Sequence, residues 1–234
     1  MQEPSRVGIS KMFDNIASTY DRVNRVMTFC LDQYWRKKMI PLLPPGEALT
    51  VLDCATGTGD QLICLMEGCS RIRQGIGIDL AEEMVAIGRK KIQDKPYAKA
   101  VSFQIASALE LPFPDQSFDV VTISFGIRNV TDVKQALAEF HRVLKPSGRL
   151  IILEGTVPQN RALRSLHLFY LRHVLPRIGG WISKDKDAYR YLNQTIETFP
   201  AGEAFCNLLT GAGFHSAKAH PLTGGAVTLY SAEV

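Results

Sequence analysis

The chain has 234 residues, 46% hydrophobic and 21% charged, enough to bury a full core and too balanced for a disordered or fibrous class. A net charge of +4 without a lysine/arginine tract gives no footprint for nucleic acid. No apolar run approaches the roughly 18 residues of a membrane span, and Met1-Gln2-Glu3-Pro4-Ser5 lacks the pattern of a signal peptide. Cys30, Cys54, Cys64, Cys69 and Cys206 are odd in number and form no CxxC pair, which reads as reduced thiols of a cytosolic chain.

Taken in chain order, residues 15–39 precede the first strand and carry Tyr20, Tyr34 and Trp35. Val51-Leu52-Asp53 is an apolar run ending in an acid. It turns through Cys54-Ala55-Thr56-Gly57-Thr58-Gly59-Asp60 into Leu62, Ile63, Leu65 and Met66 at helical spacing, so the pattern is strand, glycine loop, helix. Gly75-Ile76-Gly77-Ile78 is a second short apolar run, again ending in an acid, Asp79. Glu82 to Lys90 predicts a helix with acids first and bases last, matching its dipole. Val101–Ile105 and Phe118–Ser124 predict strands. Thr131 or Asp132 caps a helix with Val133, Leu137, Phe140, Val143 and Leu144 on one face, and Lys145-Pro146-Ser147-Gly148 stops it. Arg149–Glu154 is a buried strand. Ser216–His220 and Ala226–Tyr230, around Gly224-Gly225, predict a terminal hairpin. This alternation implies a mostly parallel sheet with helices on both faces.

The glycine loop narrows the ligand. A dinucleotide fingerprint wants a third glycine where this chain has Leu62, and no lysine and hydroxyl follow as a Walker loop requires. A ligand with a ribose but no pyrophosphate fits better, and S-adenosylmethionine is one. Its carboxylate suits the loop amides and helix N-terminus formed around Gly57 and Gly59. Asp53 favours its ammonium, and Asp79, roughly twenty residues on, is placed for the ribose hydroxyls. The acids and histidines show no ligand spacing for a metal.

These residues resemble class I S-adenosylmethionine-dependent methyltransferases. More narrowly, the chain resembles the ubiquinone/menaquinone biosynthesis C-methyltransferase family. The likeness runs nearly end to end through residues 13–21, the loop 57–60, 111–115, 122–131, 142–146, 173–179 and 189–192. The loop and Leu144-Lys145-Pro146 are generic. The 124–129, 175–177 and 189–192 segments are more specific to the quinone branch. The resemblance implies a Rossmann-like fold with a mostly parallel seven-stranded sheet, a C-terminal antiparallel hairpin and helical cap elements. It implies one domain over 1–234, with an N-terminal cap at 1–46 and an acceptor-side cap at about 156–200. It also implies cofactor contacts at Thr58, Asp79, Ser107, Ala108 and Ser124. Ser107-Ala108 stands where the family commonly has Asn-Ala.

The implied reaction is C-methylation of a polyprenylated quinol, foremost demethylmenaquinol to menaquinol, with the benzoquinol step of ubiquinone synthesis beside it. An ionised quinol hydroxyl must be stabilised and the ring held in near-attack contact with the methyl group. Arg128 and Asn129, just beyond the strand ending at Ser124, are the catalytic candidates; the alternative for Arg128 is a structural pair with an acid such as Asp132. His141 reads as a surface histidine. Leu163, Leu166, Phe169, Leu171, Val174 and Leu175 interleave with Arg161, Arg164, Arg172 and Arg177, a basic amphipathic pattern that suits either a membrane surface or a core-facing helix. The expected setting is cytoplasmic, with peripheral contact at the inner membrane face. Dimerisation has no supporting pattern. Competing readings are a methyltransferase for another small or lipophilic acceptor and a non-catalytic cofactor-binding protein.

Overall fold

The structure is a computed structural model that describes residues 8–183 and 186–234. Residues 1–7 of the predicted N-terminal cap, with the Met1–Ser5 reading, and residues 184–185 of the predicted second cap lie outside them. The strands are β1 (Leu49–Cys54), β2 (Ile72–Asp79), β3 (Val101–Ile105), β4 (Phe118–Ser124), β5 (Leu144–Gly155), β6 (His215–Leu222) and β7 (Val227–Glu233). They form one sheet in the order β3-β2-β1-β4-β5-β7-β6. The first five strands pair in parallel, and β7 joins β5 and β6 antiparallel, as the hairpin reading predicts. Among the five parallel strands, chain order runs outward in both directions from the β1/β4 boundary. That is the switch point of an open α/β sheet, where loops at the carboxyl ends of the strands leave a crevice.

The central strands are apolar on both faces because helices cover both. Successive side chains of a strand point to opposite faces. Leu52, Ile76, Val121 and Ile152 join one buried cluster with α5 (Val133–Val143) and α9 (Glu203–Gly211). Val51, Val120 and Ile151 join another with Leu62 and Leu65 of α3 (Asp60–Gly68). Leu62 is fully buried, and a Cβ on Gly75 would stand 2.8 Å from its Cδ1. The close helix–sheet approach that a dinucleotide loop makes with its third glycine is made here by a glycine on the facing strand.

The junction of α5 with β5 and the setting of His141 differ from the sequence reading. Asp132 caps α5 by accepting the Gln135 N–H at 3.0 Å, and the helix ends at Val143. The chain does not leave through a free turn. Leu144 already pairs with Phe118, and the register shifts before Arg149 pairs with Val120, so Pro146-Ser147-Gly148 forms a bulge within a longer β5. His141 is half-buried, with its ring edge-on to Phe214 at 5.2 Å, because α9 turns back at Gly213 onto α5.

The remaining helices crowd the carboxyl edge. α1 (Ile9–Met27) and α2 (Leu31–Lys37) precede the sheet, α4 (Glu82–Ile92) links β2 and β3, and α6 (Arg161–Phe169), α7 (Leu175–Ser183) and α8 (Lys186–Thr198) lie between β5 and α9. Tyr170–Val174 widens into a π turn between α6 and α7. Pro176 explains it: proline cannot donate to the Arg172 carbonyl and its ring crowds that carbonyl, so the helix relaxes its register there.

Candidate active site

The loop after β1 is set by its backbone. Ala55, Gly57 and Gly59 have φ of 48°, 56° and 83°, a left-handed run that glycine tolerates best. At Gly59 the chain also passes so close to β3 that an added Cβ would sit 2.6 Å from Phe103. Asp53 is buried beneath the loop, accepting the Thr56 and Thr122 hydroxyls, each at 2.6 Å. Burial pushes its carboxyl up to about 6, against the hydrogen bonds of the two threonines. Asp79 accepts the Gly57 N–H at 2.8 Å and the Ala81 N–H at 3.0 Å. Burial raises its carboxyl too, opposed by those backbone donors.

Three adjoining cavities open on this edge. A groove of about 210 Å³ is lined by Gly57, Asp79, Ser107, Ala108, Ser124 and Asn129, among others. It gathers most of the predicted cofactor residues, from four strand ends, in one place. The Ser107 hydroxyl there accepts the Leu109 N–H at 3.1 Å. A polar recess of about 20 Å³ lies under the loop between Asp53, Thr58, Gln61, Ser124 and Arg36, with room for one small polar group and not for a nucleoside. A more apolar cavity of about 160 Å³ lies between α1, α2 and the α6–α8 helices, with Arg128 and Asn129 in its wall. Tyr20 lines all three. Its phenol is held above the ordinary range by burial, against an Asn24 hydrogen bond and the charges of Arg36 and Arg128.

The recess is short of acceptors. Gln61 Oε1 accepts from Ser124 Oγ at 3.1 Å and from Arg36 Nη1 at 3.5 Å. Gln61 Nε2 and Arg36 Nε are buried without a hydrogen-bond partner among the described residues. Buried donors normally find acceptors, so two idle ones beside a cavity suit an anionic group such as a carboxylate. The adjoining groove, with Asp79 at its edge, suits a ribose and base. These residues therefore fit S-adenosylmethionine. Among the described residues, no group of three or more His, Cys, Asp or Glu side chains is arranged to hold a metal ion.

The acceptor-side candidates are brought together, though not as the sequence suggests for Arg128. Its guanidinium forms an ion pair with Glu154 and donates to the Phe125 carbonyl at 2.6 Å, while Asp132 is occupied in capping α5. Both Arg128 and Glu154 are buried. Arg128 Nε has no partner among the described residues. Asn129 Oδ1 accepts the Tyr191 hydroxyl at 3.3 Å and borders both the groove and the apolar cavity.

A side-chain cluster fastens α1 over the loop. Lys91 Nζ contacts Asp21 and Asp60, each at 2.6 Å, and donates to Thr58 Oγ1 at 2.9 Å. Thr58 Oγ1 donates to Asp21 at 2.6 Å, and Arg25 contacts Asp60 at 2.7 Å. Burial alone would raise the Asp60 carboxyl; Lys91, with lesser help from Arg36 and Arg25, outweighs it and holds the group below its ordinary value. The Thr58 hydroxyl, predicted for the cofactor, is thus engaged by the lid helix.

The sequence profile of the ubiE/COQ5 methyltransferase family matches residues 1–233. The chain belongs to the ubiE/COQ5 methyltransferase family. It is 41% identical over 225 residues to a Geotalea uraniireducens protein named ubiquinone/menaquinone biosynthesis C-methyltransferase UbiE, covering 96% of this chain and 95% of that one. It is 39% identical over 226 residues to the demethylmenaquinone methyltransferase of Bacteroides fragilis, with 96% and 91% covered. The fold is also that of a Thermotoga maritima SAM-dependent methyltransferase, at TM-score 0.66 and 22% identity, with 95% and 98% covered.

Within this family member, sequence reasoning missed Tyr20, Arg36, Gln61, Glu154 and Tyr191 as site residues. Glu154 carried a readable signal, since it closes an apolar strand as Asp53 and Asp79 do. Arg36 and Tyr191 sit on helices far from the loop in sequence; only the family resemblance of residues 189–192 points to Tyr191, and nothing points to Arg36.

Proposed function

We propose that the protein transfers a methyl group from S-adenosylmethionine to a ring carbon of a polyprenylated quinol, foremost demethylmenaquinol. The observation that carries this is the adjacency of a groove bordered by Asp79, Ser107 and Ser124, suited to the cofactor, and a more apolar cavity, which share Tyr20, Phe125 and Asn129. Relatives of known name act in ubiquinone and menaquinone synthesis, which supports a quinol as occupant of that cavity. When bound, S-adenosylmethionine supplies an electrophilic methyl group. The protein's own part is to align the ring and to steady its ionised oxygen. Asp79 takes the ribose hydroxyls, Asp53 the ammonium, and Arg36 with Gln61 the carboxylate; Gly57, Thr58, Ser107, Ala108 and Ser124 shape the walls, while Gly59 sets the loop against Phe103. Arg128, through its idle Nε, and Asn129 hold the quinol oxygen. α1–α2 and α6–α8 act as a cap that excludes water and strengthens these contacts. The acceptor's lipid tail sets the enzyme to work from the cytoplasm at the inner membrane face.

The test is methyl transfer from labelled S-adenosylmethionine to a short-tailed demethylmenaquinol kept reduced, with a matched benzoquinol in parallel. A carbon-methylated naphthoquinol is expected. Cofactor binding with neither quinol methylated would remove the acceptor assignment.

A further inference from the structure

The apolar cavity is bordered by a surface that the fold leaves bare. Phe29, Leu166 and Phe169 are 74%, 67% and 57% exposed, and Leu31, Tyr34 and Leu163 are exposed beside them. They form one face. Phe29 lies 6.4 Å from the Tyr170 ring, next in sequence to Phe169. Leu163, Leu166 and Phe169 follow one another at helical spacing along α6. Leu163 packs on Gly224, and Trp35, one residue from Tyr34, donates to the neighbouring Thr223 hydroxyl at 2.8 Å.

Exposure here is built in. Phe29 and Cys30 hold φ of 52° and 62°, a left-handed pair that non-glycine residues seldom adopt. The turn is pinned by Cys30 N–H donating to the Arg25 carbonyl at 2.8 Å and Leu31 N–H to Thr28 at 2.9 Å. A backbone held in this way to present an aromatic ring to solvent needs a partner for the ring. The neighbours of these residues in sequence, Met27, Thr28, Trp35, His167 and Tyr170, line the cavity, so the bare face and the cavity are two sides of the same helices.

The charge around the face selects the partner. Arg22, Lys37, Lys38, Arg161 and Arg164 are exposed on the same segments, and the single acid in residues 22–38 and 161–173, Asp32, is buried. Lys38 stands 4.9 Å over the Tyr34 ring. Projecting aromatic and leucine side chains amid a surplus of cations, of which Lys37 feels Glu67 and Arg164 feels Glu197, match an anionic lipid surface, where apolar groups enter the interface and cations meet headgroups. No helix of the described residues is long and apolar enough to cross a bilayer, so contact is from one side. We infer that this face, centred on Phe29, Leu166 and Phe169, docks on an anionic phospholipid bilayer and delivers the cavity to its lipid-tailed acceptor. The inference rests on the acceptor class proposed above.

The test uses the full chain and vesicles without quinol, either pure phosphatidylcholine or an equal mixture with phosphatidylglycerol. The wild type should float with the anionic vesicles and far less with the neutral ones. The double variant Phe29→Ser, Leu166→Ser should lose vesicle affinity on the order of a hundredfold, since two buried side chains are removed. It should keep S-adenosylhomocysteine binding and turnover of a short-tailed quinol in solution, because neither residue lines the three cavities of the site. Wild type that ignores anionic vesicles, or a folded variant that binds them equally, overturns the inference. So does a wild-type dimer in sedimentation that the variant abolishes, because the face would then belong to a second copy. Failure of the soluble quinol assay alone overturns the acceptor and leaves the docking result standing.

Discussion

Arg128 and Glu154 form a buried ion pair in the wall of the acceptor cavity, one from the 3-10 turn Ile127–Asn129 after β4 and the other from the end of β5. The Arg128 N–H also approaches Glu154 Oε2 at 3.3 Å. The pair fastens the turn that presents Asn129, so the arginine carries a structural role along with any role toward the quinol.

Removing one partner leaves a buried charge uncompensated, which costs about 3–5 kcal/mol. Arg128→Ala should therefore lower the melting temperature as well as turnover. Arg128→Met combined with Glu154→Met should regain much of the stability and none of the turnover. Thermal unfolding, cofactor binding and quinol methylation of the single and double variants check this. Recovered turnover in the double variant would leave only the structural role.

Asp53 makes stability depend on pH in an unusual direction for a carboxylate. Its folded value, about 6, lies above 3.8, so the fold holds this proton more tightly than the unfolded chain does. The associated stabilisation is full below about 3.8 and is lost as pH rises through about 6. That gap corresponds to roughly 3 kcal/mol. Melting temperature relative to an Asp53→Asn variant should fall across this window and level above it. Because a cofactor ammonium favours the ionised acid, S-adenosylmethionine binding near pH 6, where the free acid is half protonated, should also release about half a proton, read as a buffer-dependent calorimetric enthalpy. Parallel pH profiles and a buffer-independent enthalpy would count against the assignment.

Arg36 and Gln61 hold the idle donors of the recess. A hydrogen bond to a charged group contributes about 1.5–3 kcal/mol, so Arg36→Met should weaken S-adenosylhomocysteine binding by roughly tenfold to a hundredfold. Arg36→Lys should fall between. Titration calorimetry with the ligand and with its decarboxylated analogue separates the cause: the analogue should lose little from the substitution.

Lys91 ties α1 to the glycine loop. Lys91→Met should loosen that lid without unfolding the sheet, because Ile16 and Ala17 still pack on Met84 of α4. Hydrogen exchange across Ile9–Met27 should quicken by roughly tenfold, and cofactor release should quicken with it. Added salt should shift the wild type in the same direction by screening these half-exposed charges. Unchanged exchange in α1 would show that apolar packing alone holds it.

The sequence by itself determined the sheet and which loops meet at its carboxyl edge. Val51 to Asp53, Gly57 to Asp60 and Asp79 lie within one strand–loop–helix–strand stretch, and their hydrophobic periods and turn chemistry are local properties. β3 falls on the residues that alternation predicts and β4 on those that β-branched side chains predict. Boundaries slipped where a long-range partner decides them. The Pro146-Ser147-Gly148 turn became a bulge because Leu144 finds Phe118 across the sheet, and His141 was drawn inward by Phe214.

Only the tertiary structure decided the acceptor side. Arg128 reads as free or paired to Asp132 until β5 brings Glu154 beneath it, 26 residues away. Tyr20, Arg36 and Tyr191 reach the site from helices outside the sheet, and no periodicity encodes which helix faces which cavity. The exposure of Phe29 is likewise invisible in sequence, because an apolar residue is expected inward until a left-handed turn turns it out. Local pattern sets what each segment becomes; packing of distant segments sets which buried charges meet and which apolar groups stay bare.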